Sequence, residues 1–308
     1  MSSQADGPNR PSHTVDDTLR NALLASLEDA LSSLRLEPVG EDRFRAGSEG
    51  SRFGQAFGGQ LVAQALLAAA LTVEDKQPAS LHAYFAEAGD LSQPLELTVG
   101  RARDGRSMST RRVDITQGER SVLVVIASFH ANSTDPEFAD PMPAAPLPED
   151  VPTLQHWVRN LSPEQQILRH GWLEHPPPME MRIGEPPSFM GDPVGTGPRS
   201  HWMRLPGPVA DDPLLHTTLL TYASDYLLLD MAFRIHPQRT TPLSLRGTSL
   251  DHTVWFHRPV HFDQWHLYTQ EALAISGDRG LVRGMVHDEA GHLVATTMQE
   301  VLVRPTRR

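Results

Sequence analysis

The strongest constraint on this chain is a pattern that occurs twice. Leu81 to His130 carries a strand-like run reaching Tyr84-Phe85, an arginine-rich turn at Arg103-Asp104-Gly105-Arg106, and a long apolar run from Ser121 to Phe129. Leu250 to Val303 repeats that layout with Trp255-Phe256, a turn at Gly277-Asp278-Arg279-Gly280, and a last run from Leu293 to Val303. An apolar helical stretch precedes each block, Gly59 to Leu71 in the first and Leu214 to Phe233 in the second. Two copies of a helix followed by an antiparallel sheet are a more economical reading than two unrelated folds. The copies differ in that only the second carries titratable and amide groups where chemistry would sit.

Composition removes several function classes. The chain has 308 residues and no cysteine, which excludes disulfides, thiolate nucleophiles and cysteine-based metal sites. Lys76 is the only lysine and lies in the acidic stretch Glu74-Asp75-Lys76, a poor place for a Schiff base. A formal charge of -11 argues against nonspecific nucleic-acid binding, which needs a broad positive field. There is no uncharged apolar run of about 18 residues and no apolar signal region at the start, so the expectation is a cytoplasmic protein without membrane insertion. Arginine is nevertheless dense near turns, at Arg101, Arg103, Arg106, Arg111 and Arg112 and again at Arg279 and Arg283, where a phosphate-bearing ligand can be met.

The expected organisation is a disordered tail at residues 1–18, a first unit at 19–133, a proline-rich connector at 134–177 and a second unit at 178–308. Asn21 to Leu36 has the spacing of a one-sided helix, and Phe44 marks a first strand after a turn at Val39-Gly40-Glu41-Asp42. Met179 to Ile183 and His201 to Leu205 read as short strands opening the second unit. Phe57-Gly58-Gly59-Gln60 opens the first apolar helix, and the two glycines leave its N-terminus open to a negatively charged group.

The stretch Leu214 to Phe233 is apolar nearly all round, which predicts a central helix with Asp225 in its middle. A carboxylate there is costly unless hydrogen-bonded or functional. Asp230, five residues on, falls about 140° around a regular helix and should face elsewhere. Ser249 precedes Leu250-Asp251-His252 at a strand start, and Gln299 interrupts the last strand. Taken alone, Gln299 reads as a surface residue of an edge strand. Together with Asp225 it acquires a chemical reading, because an amide that donates and accepts can orient a water while a carboxylate takes its proton. The chain has no Gly-x-Ser-x-Gly, His-Glu-x-x-His, Gly-x-x-x-x-Gly-Lys or Gly-x-Gly-x-x-Gly motif. The nearest histidine cluster, His252, His257, His261 and His266, lies in a segment that alternates faces, so no metal or other cofactor is expected.

These residues carry a family likeness. Phe57-Gly-Gly-Gln60, Leu81-His-Ala-Tyr-Phe85 with Gly89-Asp90, Arg103-Asp-Gly-Arg106 with Arg111-Arg-Val113, Tyr222-Ala-Ser-Asp225, Leu250-Asp-His252 with Trp255 to Pro259, and Gly280 to Gly284 with Gln299-Glu300 run in order from about residue 21 to the C-terminus. In these stretches the chain resembles the acyl-CoA thioesterase II family. The resemblance implies an α+β double hotdog, two fused units each with a long central helix wrapped by an antiparallel sheet. It further implies hydrolysis of acyl-CoA to a free acid and CoA, no cofactor, and pairing of whole chains into a homo-oligomer. Carried over motif by motif, the catalytic group becomes Asp225, Ser249 and Gln299, with serine where many bacterial members have threonine. Gly58, Gly59, Arg106 and Arg279 are the accompanying candidates for substrate binding.

Two other readings stay open at this level. Asp211-Asp-Pro-Leu-Leu-His216 has the Asp and His five apart, as in hotdog hydratases, although Pro213 comes one place early and no asparagine follows. Asp211 is better read as a residue at a helix start, near the N-cap. A noncatalytic acyl-CoA-binding protein is the other alternative, and it has no need for the Asp, Ser and Gln set.

Overall fold

The computed structural model describes residues 15–50, 54–131, 138–191 and 195–306. The chain opens with helix α1 (Asp17–Ser33), which Asp16 caps by accepting the Leu19 N–H at 2.8 Å. Residues 17 and 18 are therefore helical, and residues 1–14 of the expected tail lie outside the described residues. A hairpin of β1 (Glu37–Gly40) and β2 (Arg43–Ala46) leads to the buried helix α2 (Gly58–Ala70). Strands β3 (Gln77–Phe85), β4 (Leu95–Asp104), β5 (Met108–Gln117) and β6 (Arg120–His130) complete the first unit. The connector holds α3 (Leu154–Arg159) and short irregular turns; positions 134–137 of it lie outside the described residues.

The second unit comprises β7 (Glu180–Ile183), β8 (Arg199–Arg204), α4 (Pro213–Ala223), α5 (Leu228–Ile235), β9 (Leu245–Ser249), β10 (Asp251–Phe256), β11 (His266–Ser276), β12 (Arg279–Asp288) and β13 (Leu293–Pro305). The described strands form one sheet in the order β1-β2-β4-β5-β6-β3-β10-β13-β12-β11-β8-β7, with β9 also on β13. The seam between the units is the antiparallel pair β3 and β10, in register from Asp251 opposite Tyr84 to Trp255 opposite Ser80. Each unit thus hands its open edge to the other, which removes an unpaired edge from the middle of the molecule.

Alternation along the strands gives the sheet its inner face. In β6 Leu123, Val125, Ala127 and Phe129 are buried, and in β13 so are Ala295, Thr297, Gln299, Val301 and Val303. That face closes over α2 and α4, which pack on one another so closely that a Cβ on Gly59 would run into the Tyr222 carbonyl. Gln299 is fully buried on a strand flanked on both sides, which corrects its reading as an edge-strand surface residue.

The expected helix from Leu214 to Phe233 is two helices. It stops at Ala223, and residues 224–227 form a turn with Leu227 in the left-handed region at φ 66°. Asp225 therefore sits in a break and not in mid-helix. The freed carbonyls are satisfied from β11, where Tyr268 donates to the Ser224 oxygen at 2.8 Å and Gln270 to the Tyr226 oxygen at 2.7 Å. At the helix start the cap is Asp212, which accepts from Leu214 N at 2.9 Å, and Pro213 takes the first helical position. His216 is buried with its Nδ1 accepting the Phe262 N–H at 3.0 Å.

Candidate active site

A cavity of about 530 Å³ opens beside the helix break. Its polar wall includes Asp225, Thr248 and Ser249, and its apolar wall includes Phe57, Phe85, Trp172, Phe189, Leu229 and Phe233. Gly58 lines it from the first turn of α2. Both units and the connector thus contribute. The connector reaches the wall through Trp172, whose ring packs 5.3 Å from Phe189 and 6.1 Å from Tyr226. Leu227, Leu229 and Phe233 line the cavity from the second unit, and Leu61 does so from α2.

Asp225 and Gln299 meet directly, the Gln299 Nε2 donating to Asp225 Oδ1 at 2.5 Å. Gln299 stands behind the carboxylate, and its Oε1 is buried with no hydrogen-bond partner among the described residues. The same Nε2 lies 3.3 Å from His252 Nδ1, and His252 Nε2 lies 2.8 Å from Ser224 Oγ. His252 is fully buried, and desolvation holds its pKa below the usual imidazole value even though Asp225 and Asp251 pull the other way.

Ser249 reaches the cavity because the strand is irregular. Ser249 pairs with Val301 in β9, but Thr253 pairs with Met298 in β10, so one extra residue is inserted between them. In a regular strand Ser249 and His252, three apart, would face opposite sides. The bulge turns both inward. Leu250 N–H still bonds the Glu300 oxygen at 2.9 Å, and the Glu300 N–H is taken by Asp251 Oδ1 at 2.6 Å. That half-buried carboxyl is held above its ordinary pKa by desolvation, against the lowering effect of the Glu300 N–H.

The glycine pair divides in role. A Cβ on Gly58 would lie 2.7 Å from Asp225 Oδ2, so the bare backbone is what lets the helix N-terminus approach the carboxylate. Gly59 is absent from the cavity wall and serves the α2 and α4 contact. Asp230 is among the residues that line the cavity, but its carboxylate is committed to Ser188 and Arg199, which do not. It is buried in an ion pair with Arg199 at 2.5 Å and accepts the Ser188 N–H at 3.0 Å.

The candidate arginines are not on the cavity wall. Arg106 is exposed at the β4 and β5 hairpin, at the opposite end of β5 from the cavity mouth near Gly89; ten strand residues span roughly 30 Å. Arg279 is nearer, opposite Leu302, which itself pairs with Thr248, and its guanidinium bonds Glu300 at 3.0 Å. Arg101, Arg111, Arg112 and Arg283 are bonded to Asp42, Asp104, Asp114 and Glu271. Among the described residues no group of three or more His, Asp or Glu side chains is arranged to hold a metal ion, and no helix is long and apolar enough to cross a membrane.

A carboxylate at the mouth of an apolar cavity, facing a glycine-opened helix N-terminus, suits hydrolysis of an activated acyl group, and the two helices inside one wrapped sheet are the hotdog thioesterase arrangement. Residues 174–302 match the family described as acyl-CoA thioesterase, and residues 48–130 match the acyl-CoA thioesterase N-terminal domain. Acyl-CoA thioesterase 2 of Haemophilus influenzae is 31% identical over 90% of this chain and 98% of its own length. Acyl-coenzyme A thioesterase 8 of Mus musculus is 33% identical over 94% of this chain and 93% of its own. The solved tesB protein of Mycobacterium avium subsp. paratuberculosis superposes with a TM-score of 0.74 at 31% identity, covering 91% of this chain and all of the other. The chain belongs to the acyl-CoA thioesterase II family and is a thioester hydrolase with the double hotdog fold.

Proposed function

We propose that this protein hydrolyses acyl-CoA by direct attack of water, with Asp225 as general base, Ser249 holding the water and Gln299 orienting both. The observation that carries the reading is the contact between Gln299 Nε2 and Asp225 Oδ1 beside an apolar cavity. With the Gln299 N–H on Oδ1, Oδ2 is left to take a proton. The acyl chain lies along Phe57, Trp172, Phe189 and Phe233, and its carbonyl meets the first turn of α2. Asp225 takes a proton from water as the water oxygen bonds to the carbonyl carbon. The tetrahedral oxyanion is held by backbone N–H groups at Gly58, where the helix dipole also favours negative charge. The C–S bond then breaks, and the proton on Asp225 passes to the departing CoA sulfur.

An acyl-enzyme on Ser249 has less support, since among the described residues no base bonds its hydroxyl. The hydratase reading loses its base, because His216 Nδ1 is occupied by the Phe262 N–H and the residue is absent from the cavity wall. Arg279, beside the mouth, is the better of the two arginine candidates for CoA phosphates. We further read the protein as a cytoplasmic homo-oligomer serving fatty-acid metabolism; outward-facing Tyr84 and Ile126 on the central sheet, 66% and 43% exposed, support association of that face.

The test is free-thiol release from CoA esters of graded chain length, with Asp225→Asn compared at equal folded fraction. Thiol release should fall by at least about 1000-fold in the variant, a loss typical of removing a reacting group. Turnover per folded molecule that survives the substitution would sink the water-attack reading.

A further inference from the structure

We infer that His252 is a positioning residue, a neutral imidazole protonated on Nε2 whose bare Nδ1 keeps the Gln299 amide from turning over during the catalytic cycle. The inference rests on the roles given above to Asp225 and Gln299. Its starting point is a chain of hydrogen bonds running from the Thr221 carbonyl through Ser224 and His252 to Gln299. Ser224 Oγ donates to the Thr221 carbonyl at 2.8 Å, so its one proton is used. With that proton on Thr221, the hydroxyl accepts from His252 Nε2, 2.8 Å away, and we assign the imidazole proton to Nε2. Nδ1 is then an acceptor, and the group facing it at 3.3 Å is Gln299 Nε2. That nitrogen has two protons, one for Asp225 Oδ1 and one for His252 Nδ1.

A carboxylate alone would dictate the amide orientation only while ionised. Once Asp225 has taken the water's proton on Oδ2, the neutral carboxyl's Oδ1 is a weaker acceptor, and an unrestrained Gln299 is free to turn over and present Oε1. The amide would then be turned the wrong way when the proton leaves. A second acceptor that does not change its protonation removes that freedom. His252 is suited to this because it is fully buried, and the charged groups acting on it, Asp225 and Asp251, do not overcome its desolvation.

The first unit supplies an internal comparison. Aligning Tyr84-Phe85 with Trp255-Phe256 sets Leu81 against His252, and the strand pairing then sets Ala127 against Gln299. Leu81 and Ala127 are both fully buried and apolar. The fold therefore does not need polar groups at this register, and a buried His and Gln pair is costly unless it serves the site.

Nitrogen NMR of the native protein with labelled histidine tests the tautomer without any variant. His252 should show a protonated Nε2 and a bare Nδ1 from about pH 6 to pH 8, and an Nδ1–H or imidazolium signal in that range overturns the inference. Kinetics of variants test the role. His252→Leu should lower kcat roughly 10- to 100-fold with KM within about twofold, as for one lost buried bond. His252→Asn, whose Oδ1 stands where Nδ1 stood, should recover most of that loss. Equal turnover in the two variants, or a native-like kcat in His252→Leu, overturns the positioning role. Failure of the water-attack reading is seen separately, as thiol release that survives Asp225→Asn.

Discussion

At the scale of single residues, the chain keeps side chains out of one place and charge out of another. Gly58 is needed for the room it leaves: the Cβ of an alanine would sit 2.7 Å from Asp225 Oδ2 and 3.1 Å from the Phe85 ring. Gly58→Ala should therefore lower kcat by about tenfold or more through a displaced carboxylate, with a melting temperature close to native, because alanine suits a helix better than glycine does. Steady-state kinetics beside a thermal melt distinguish this from loss of fold. His201 illustrates the exclusion of charge. Both ring nitrogens are buried without a hydrogen-bond partner among the described residues, and burial, aided by the Arg199 charge, brings its pKa from 6.5 down to about 3. The native ring stays neutral while the unfolded one takes a proton below pH 6.5. Stability is thus fully present above pH 6.5 and is lost as pH falls toward 3, by about 5 kcal/mol at the limit. His201→Phe should flatten the pH dependence of urea-derived stability between pH 6 and 4 by up to about 1.4 kcal/mol per pH unit. An unchanged slope would mean that the ring already charges in the native state.

At the scale of elements, the site is made by two irregularities, a helix break and a strand bulge. The break at residues 224–227 frees carbonyls that Tyr268 and Gln270 satisfy from β11, and it places Asp225 on the cavity wall. Gln270→Leu removes the amide that bonds the Tyr226 carbonyl, which should destabilise the fold by about 1 kcal/mol. Because the break also carries Asp225, kcat should fall further than the loss of folded protein accounts for. Chemical denaturation read beside kcat per folded molecule checks both parts, and unchanged kcat would show that the break holds without β11. No glycine or proline lies between Leu214 and Ile235 to announce the interruption, so an all-round apolar pattern looks like one continuous helix. The bulge is equally silent, since Leu250-Asp251 are ordinary strand-edge residues until the Glu300 N–H is seen on the Asp251 carboxyl. Gln299 was more legible. It shares parity with Val301 and Val303, and that period of two is the signal that places it inside.

At the scale of the whole molecule, the doubled pattern becomes one sheet through the β3 and β10 seam, and the cavity lies where the two units and the connector meet. The contributions to the cavity are asymmetric: the second unit brings Asp225 and Ser249, the proposed reacting groups, the first an open helix N-terminus, the connector an aromatic wall. Residue order alone determined that there are two units, that their strands alternate faces and that helices lie inside, while the likeness of its motifs to a family nominated Asp225, Ser249 and Gln299 as candidates. Those properties follow from periodicity, burial tendency and motif, which are local in the chain. Only the tertiary structure decided that the second helix breaks at Asp225, that Asp230 shares its cavity, that Arg106 stands far from it, and that His252 and Gln299 pair in the core. Each depends on a partner many residues away, Tyr268 and Gln270 for the break and the β10 to β13 register for the pair. Hydrogen bonds between distant residues leave no period in the sequence, because either partner alone looks like an ordinary polar residue.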